Sequence, residues 1–125
     1  MPAKTFLFYH VILTTKYRRR SLNHPNVLAR VQGALDQQAQ LRGGMLLAFN
    51  HGPDHAHIHA LVILPPQHAV APFLRDAKSQ AARLINAYQG TTGRPLWGRR
   101  YFAASVGGGG LDAARRYVMD QWAPC

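Results

Sequence analysis

Apolar residues recur along this chain at two different spacings, and each spacing predicts a type of secondary structure. Residues 5–15 (TFLFYHVILTT) are rich in aromatic and β-branched side chains, which is typical of a buried strand. Val27, Val31 and Leu35 instead recur at helical spacing, and Gly43-Gly44 ends that segment. The whole chain read in this way predicts strands at 5–15, 45–50, 56–64 and 99–106, and helices at 25–41, from Phe73 to near Gly90, and at 111–122.

The predicted order of elements is therefore β-α-β-β-α-β-α. This order favours an α+β fold in which two helices pack on an antiparallel sheet, in the ferredoxin-like or RNA-recognition-like manner. A C-terminal helix carrying Tyr117 follows the last strand. The length of 125 residues fits one domain, 1–125. The glycine run at 107–110 is too short to separate two domains, and we interpret it as a flexible joint.

The charge of the chain is strongly one-sided. Lys and Arg number 15 against 5 acidic residues, all of them Asp, which gives a formal charge of +10. Such a charge favours nucleic acid as the partner, rather than a membrane or a small-molecule substrate. The single cysteine, Cys125, excludes a disulfide framework within the chain. Without a signal-peptide pattern or an apolar run near the roughly 20 residues of a membrane span, we expect a cytoplasmic protein.

Three histidines alternate with apolar residues where the third strand is predicted to begin. Side chains at i and i+2 share one face of a strand, so His57 and His59 can converge on one metal ion while Ile58 points into the core. His55 continues the same alternation. Asp54 is interpreted either as an additional carboxylate ligand or as an ordinary turn residue. Histidines exposed on the surface are the alternative interpretation, which the apolar strand around them makes less favourable.

Tyr117 and Gln121 are one turn apart on the predicted last helix, next to its apolar stripe. In this position a tyrosine and an amide can present a nucleophile and a metal ligand to the same phosphate. Taken alone, such a pair more often packs against the protein or faces solvent. Arg115 and Arg116 lie beside the pair and are candidates for holding DNA.

These motifs occur together in one known family. The chain resembles the single-tyrosine transposases of the IS200/IS605 type, which belong to the His-hydrophobe-His endonuclease superfamily. The likeness follows the family's order along nearly the whole chain. It is carried by Tyr9–Arg20, by residues 57–66 (HIHALVILPP), by Leu96-Trp97 with residues 101–108, and by Arg116-Tyr117 with Gln121.

The resemblance leaves two registers for the histidine pair. The family's Pro-Asp-His-x-His pattern matches residues 53–57 and selects His55 and His57. Counting back from the two prolines after the strand selects His57 and His59 instead. Ile58 is bulky enough to anchor between the second pair, so we prefer His57 and His59 and keep His55 as the alternate.

The resemblance also implies a mechanism. Tyr117 would be the catalytic nucleophile, forming a 5′-phosphotyrosine link to single-stranded DNA, beside Mg²⁺ or Mn²⁺ held by His57, His59 and Gln121. No residue stands out as the base that would take the tyrosine proton. The family further implies a homodimer and recognition of hairpins at the ends of an element. The residues expected to bind DNA are Lys16, Tyr17, Arg18, Arg19, Arg20, Lys78, Arg83, Arg115 and Arg116.

Two other functions remain open at this point. One is a catalytically silent protein of the same fold that binds nucleic acid and acts as a regulator. The other is a metal-storage or structural zinc protein built on the histidine cluster, which would leave the charge of +10 unexplained.

Overall fold

The computed structural model describes residues 6–106 and 111–119, without the side chains of residues 111 and 112. Within these ranges the chain forms four strands and three α-helices in the predicted order, with one turn of 3₁₀ helix (Lys16–Arg18) after the first strand. The strands are β1 (Leu7–Thr15), β2 (Met45–His51), β3 (His57–Leu64) and β4 (Trp97–Val106), and the helices are α1 (Pro25–Leu41), α2 (Val70–Gln89) and α3 (Leu111–Met119). The glycine joint predicted at 107–110 and the end of the last predicted helix, 120–122, lie outside the described residues.

The strands form one antiparallel sheet in the order β2-β3-β1-β4. β1 and β3 are the two central strands, and they pair from Leu7 opposite Leu64 to Thr14 opposite His57. Since β1 and β3 are separated in sequence by α1 and β2, this pairing interleaves the two halves of the chain. The predicted α+β class with an antiparallel sheet is confirmed.

The two faces of the sheet pack against different helices, because successive side chains in a strand point in opposite directions. On one face Val11, Leu13 and Ile58 are buried with α1 and α2 in the main core. On the other face Leu61 of β3 packs against Val118 of α3. Residues of β1 and β3 that alternate with the main core therefore lie on the same side as α3.

The helix α1 ends at the glycine pair, as the sequence predicted. A Cβ atom on Gly44 would overlap the backbone carbonyl of Ile63, so glycine is required where the chain turns this closely against β3. Just before this turn Arg42 forms an ion pair with Asp76 of α2 at 2.6 Å, which joins the two helices. No helix within 6–106 and 111–119 is long and apolar enough to cross a membrane.

Three strands begin at positions different from those predicted. β1 begins at Leu7 rather than at residue 5. β3 begins at His57 rather than at residue 56, because His55 adopts a left-handed backbone (φ 56°) and the Ala56 amide donates to the Asp54 carboxylate at 3.0 Å, which closes a turn. β4 begins two residues early, at Trp97, because Trp97 pairs with the end of β1 beyond an irregularity in the register.

Candidate active site

The two preferred histidines lie side by side on β3, on the face of the sheet that α3 covers. The centroids of the His57 and His59 rings are 5.0 Å apart. His59 is buried, with 3% of its surface exposed. Between them, Ile58 is buried in the main core on the opposite face. The strand thus anchors the pair in the way that the alternation of the sequence predicted.

His55 has a different position from the other two. It lies in the turn before β3, in the left-handed backbone conformation described above, and its ring stacks on that of His51 at 5.5 Å. Of the two registers that the sequence left open, the structure brings together the rings of His57 and His59.

The imidazole of His57 is oriented by the turn that precedes it. Its Nδ1 lies 2.9 Å from the Asp54 carboxylate. Burial raises the pKa of Asp54, but the bond from the Ala56 amide and the attraction of His57 outweigh it and hold the pKa below its ordinary value. An ionised carboxylate accepts the Nδ1–H of His57, and Nε2 then carries the lone pair that a metal requires.

A glycine makes room for the same ring. A Cβ atom on Gly52 would lie 2.6 Å from His57 Nε2 and 2.9 Å from His57 Nδ1, which is closer than nonbonded atoms approach. The Gly52 amide also donates to the His57 carbonyl at 2.8 Å, so Gly52 contacts both the backbone and the side chain of His57. Gly52 therefore forms a notch that holds the His57 imidazole in place.

His10, on β1, contacts the second histidine of the pair. His10 Nε2 and His59 Nδ1 are 3.3 Å apart, and the two rings stack with centroids separated by 5.6 Å. Burial lowers the pKa of His10. Burial, with smaller effects of His57 and His10, lowers the pKa of His59 to about 4. Two neutral imidazoles therefore share this hydrogen bond at neutral pH.

One buried nitrogen of the cluster has no hydrogen-bond partner in the part of the chain that the structure describes. It is His59 Nε2, the nitrogen on the opposite side of the ring from His10. Buried polar atoms are nearly always paired, and an orphaned one calls for an unseen ligand or a functional role. A neutral imidazole nitrogen is the commonest protein ligand of metal ions, so the position of His59 Nε2 is compatible with a metal site.

α3 carries Tyr117 to this cluster. Val118 is buried against Ala48 and Leu61, which fixes the helix on β2 and β3. The Tyr117 ring packs edge-on with both rings of the hydrogen-bonded histidine pair, 5.3 Å from that of His10 and 5.8 Å from that of His59. Tyr117 as a whole residue remains 54% exposed.

Asn50 of β2 contacts the same end of α3, at the last residue of the helix. Its side-chain amide donates to the carbonyl of Met119 at 2.9 Å, and in the sheet Asn50 is directly opposite His59. The third predicted ligand, Gln121, lies outside the described residues. Within the described ranges, no three His, Cys, Asp or Glu side chains are gathered as a metal-binding group. The arrangement is thus a pair of histidines next to an exposed tyrosine.

The basic loop after β1 exposes an aromatic ring between cations. Tyr17 is 78% exposed, and Lys16 Nζ and the Arg19 guanidinium each lie 5.3 Å from the centre of its ring. Tyr17 and Arg18 adopt left-handed backbone conformations (φ 56° and 52°) within the short 3₁₀ turn. A cation-flanked exposed ring is suited to stacking on a nucleotide base.

The other predicted DNA-binding residues have different environments. Lys78 is half-buried, and its Nζ donates to the Gly98 carbonyl at 2.9 Å, so its charge is directed at β4. The remaining arginines of the predicted set are exposed, and those are Arg18, Arg19, Arg20, Arg83, Arg115 and Arg116.

The sequence matches the family described as transposase, IS200-like, over residues 3–121. The chain belongs to this family. A comparison of this transposase with curated proteins finds no match. Among solved structures it is similar to a crystal structure described as a candidate transposase from Deinococcus radiodurans R1, with a TM-score of 0.69 and 25% identity, over 97% of this chain and 95% of that chain.

A second solved structure shares the fold of this transposase. It is a REP-associated tyrosine transposase bound to a REP hairpin, with a TM-score of 0.68 and 15% identity, over 96% of this chain and 69% of that chain. Both comparisons agree with the four-stranded antiparallel sheet described above.

Sequence reasoning missed three residues of the transposase site: His10, Asn50 and Gly52. His10 carried a usable signal, because it is a polar residue on the same face of a predicted buried strand as Ile12. Asn50 and Gly52 carried none, since their roles arise from strand pairing and from the packing of a side chain.

Proposed function

We propose that this transposase cuts and rejoins single-stranded DNA, with Tyr117 Oη as the nucleophile. The observation that carries the proposal is the contact of an exposed tyrosine with two neutral histidines on the sheet, the buried His59 and the half-buried His10. Tyr117 is 54% exposed, so a phosphate can approach this residue from solvent. The family resemblance supplies the reaction class.

The reaction is a transesterification at phosphorus. Tyr117 Oη gives up its proton and forms a bond to the scissile phosphorus, while the bond to the 3′ oxygen breaks and that oxygen takes up a proton. The products are a 5′-phosphotyrosine link and a free 3′-hydroxyl. Because the link is again a phosphodiester, a second 3′-hydroxyl can displace the tyrosine and join a new strand. The energy of the original bond is conserved through both steps.

A divalent cation fits the histidine pair. His59 Nε2 is buried without a hydrogen-bond partner in the described chain, and the Asp54 contact leaves the Nε2 of His57 free to act as a ligand. His57 and His59 would hold Mg²⁺ or Mn²⁺, with Gln121 as the third protein ligand. When bound, the ion would offset negative charge that develops on the scissile phosphate.

DNA recognition is assigned to the exposed cations and to Tyr17. The ring of Tyr17 between Lys16 and Arg19 supports stacking on an unpaired base combined with phosphate contacts. The related transposase bound to a REP hairpin supports a hairpin as the substrate. We infer that Lys78, which is engaged with β4, contributes less than the exposed arginines.

A homodimer is part of the same proposal. β4 is an edge strand of the sheet, and it exposes two large aromatic side chains, Tyr101 at 42% and Phe102 at 51%. An exposed edge with apolar side chains favours pairing with another strand. Two chains would supply the two tyrosines that cutting both ends of an element requires. Sedimentation equilibrium at micromolar concentration tests this, and a Phe102→Lys variant should sediment as a monomer.

The decisive experiment for the nucleophile is covalent capture. Labelled single-stranded hairpin DNA is incubated with the protein and Mn²⁺, and protein–DNA adducts are separated under denaturing conditions. Tyr117→Phe should abolish the adduct while hairpin binding persists. Tyr88→Phe is the matched control, because Tyr88 lies on α2 and its hydroxyl accepts a hydrogen bond from Asn26. That variant should form the adduct as the wild type does.

The outcomes separate the competing functions. An adduct that survives in Tyr117→Phe would refute the nucleophile assignment. Tight hairpin binding with no adduct in the wild-type protein under Mn²⁺ would instead favour the catalytically silent DNA-binding protein. Folding that depends on Zn²⁺, with no preference for DNA, would favour the structural zinc protein.

A further inference from the structure

His10 and His59 are neighbours because of the register between β1 and β3. His10 is opposite Leu61 and Ile12 is opposite His59, so the two histidines lie diagonally on one face of the sheet. They are 49 positions apart in the sequence, and the motif around His59 does not predict a contact with His10. Strand pairing alone creates the hydrogen bond between them.

A hydrogen bond between two neutral imidazoles has a direction. Each ring carries one N–H and one lone pair, so the proton on one nitrogen determines the state of the other. If His10 Nε2–H donated to His59 Nδ1, the remaining proton of His59 would be on Nε2. That nitrogen is buried and has no acceptor among the described residues, so the arrangement would bury an unpaired donor. If His59 Nδ1–H donates to His10 Nε2, the buried atom is a lone pair.

The neighbouring histidine has the same arrangement. Asp54 accepts the Nδ1–H of His57 and leaves a lone pair on Nε2. His57 and His59 therefore each have a hydrogen-bond acceptor at Nδ1. For His57 the acceptor is the carboxylate of the adjacent turn, and for His59 it is the imidazole of the neighbouring strand β1.

We propose that His10 is a positioning residue that accepts the Nδ1–H of His59 and thereby keeps the Nε2 lone pair of His59 available for a divalent cation. This rests on the metal site of the proposed function. His10 does not bind the ion itself. It selects the tautomer of a ligand, as the acceptors behind metal-binding histidines do in other proteins. Its ring also packs edge-on against Tyr117, so one side chain supports both the ligand and the nucleophile.

The first test reads the tautomer directly in the metal-free protein. Long-range ¹H–¹⁵N spectra of histidine-labelled protein at neutral pH distinguish a ring protonated on Nδ1 from one protonated on Nε2. We expect His59 to carry its proton on Nδ1, and the His59 signals are assigned by their loss in His59→Gln. A proton on Nε2 of His59 would overturn the proposal without any His10 variant having to fold.

The second test measures binding of Mn²⁺ by electron paramagnetic resonance. His10→Phe keeps a ring against Tyr117 but removes the acceptor, and it should weaken Mn²⁺ binding by roughly 10- to 100-fold, the usual effect of removing such a partner. His10→Gln places an amide oxygen near the position of Nε2 and should restore most of the affinity. His68→Phe, which changes a histidine in the loop before α2, is the control and should bind as the wild type does.

The two tests separate this inference from the function on which it rests. If the wild-type protein binds no Mn²⁺, the proposed metal site fails, and the spectra still decide whether His10 accepts from His59. If the wild type binds Mn²⁺ and His10→Phe binds it equally well, the positioning role of His10 is refuted while the metal site stands.

Discussion

Replacing Val118 by alanine should loosen α3 from the sheet while the sheet remains folded. Val118 is the one buried side chain among residues 113–119, and it packs against Ala48 and Leu61, on the face opposite the main core. The contacts that secure the sheet to α1 and α2 do not include it. The variant therefore probes how Tyr117 is held at the site.

The size of the effect follows from the area that the side chain buries. Val118 is fully buried, and alanine removes two methyl groups worth about 0.8 kcal/mol each. If the helix does not settle into the space, the residual cavity raises the loss to about 2.5 kcal/mol. The docking equilibrium of α3 should thus shift by roughly 15- to 70-fold, since about 1.4 kcal/mol corresponds to a factor of ten.

Hydrogen exchange of backbone amides measures this shift. Amides of α3 should exchange faster by that factor in Val118→Ala, while amides of β1 and β3 keep their wild-type rates. Val31→Ala is the matched control, because Val31 is equally buried but belongs to the main core. It should lower the melting temperature of the whole domain. Identical exchange patterns in the two variants would refute the view that α3 docks as a separate unit.

Two further predictions concern the notch beneath His57 and the helix pair. Gly52→Ala should displace the His57 ring, because the new Cβ atom would lie 2.6 Å from His57 Nε2. The variant should bind Mn²⁺ more weakly, with little change in melting temperature. Unchanged Mn²⁺ binding in a calorimetric titration would contradict the role of the notch. Hydrogen bonds from Arg42 and, to a smaller extent, from Arg75 lower the pKa of Asp76 from its ordinary value of 3.8. The ionised carboxylate therefore stabilises the folded protein above pH 3.8. This contribution is lost as the pH falls through the lowered pKa. Urea unfolding at pH 7 and pH 3 should show the wild type losing more stability on acidification than Asp76→Asn, and parallel losses would be evidence against the ion pair.

Much of the fold was predictable because it is specified by local patterns. The helix from Pro25 to Leu41 has a proline in its first turn and a glycine pair after its end, and the structure confirms both bounds. The order of strands in the sheet has no local signal, since it depends on which strands pair over long distances in the sequence. The start of β3 was misplaced by one residue because the left-handed turn at His55 competes with the alternation that continues into it.

The candidate site also combines features that local sequence patterns predict with features that depend on strand pairing over long distances. The placement of His57 and His59 on one face follows from a period of two, which the sequence displays directly. The contact between Asp54 and His57 spans three residues, but the sequence analysis considered Asp54 only as a metal ligand or as a turn residue and did not predict this contact. His10 reaches His59 through a pairing between strands far apart in sequence, and no motif within either segment encodes that register.

The division of β3 into two faces has an evolutionary consequence. The side chains of His57 and Tyr117 are absent from the main core, which is built from the alternate positions of the same strand and from α1 and α2. A single substitution at either position would therefore end the proposed chemistry without removing an apolar side chain on which the fold depends. Descendants of such a protein that lose catalysis would still present the exposed cations of the basic loop. If they kept the DNA binding that we propose, they would compete with active copies for the same DNA, and one substitution would turn the enzyme of a mobile element into its repressor.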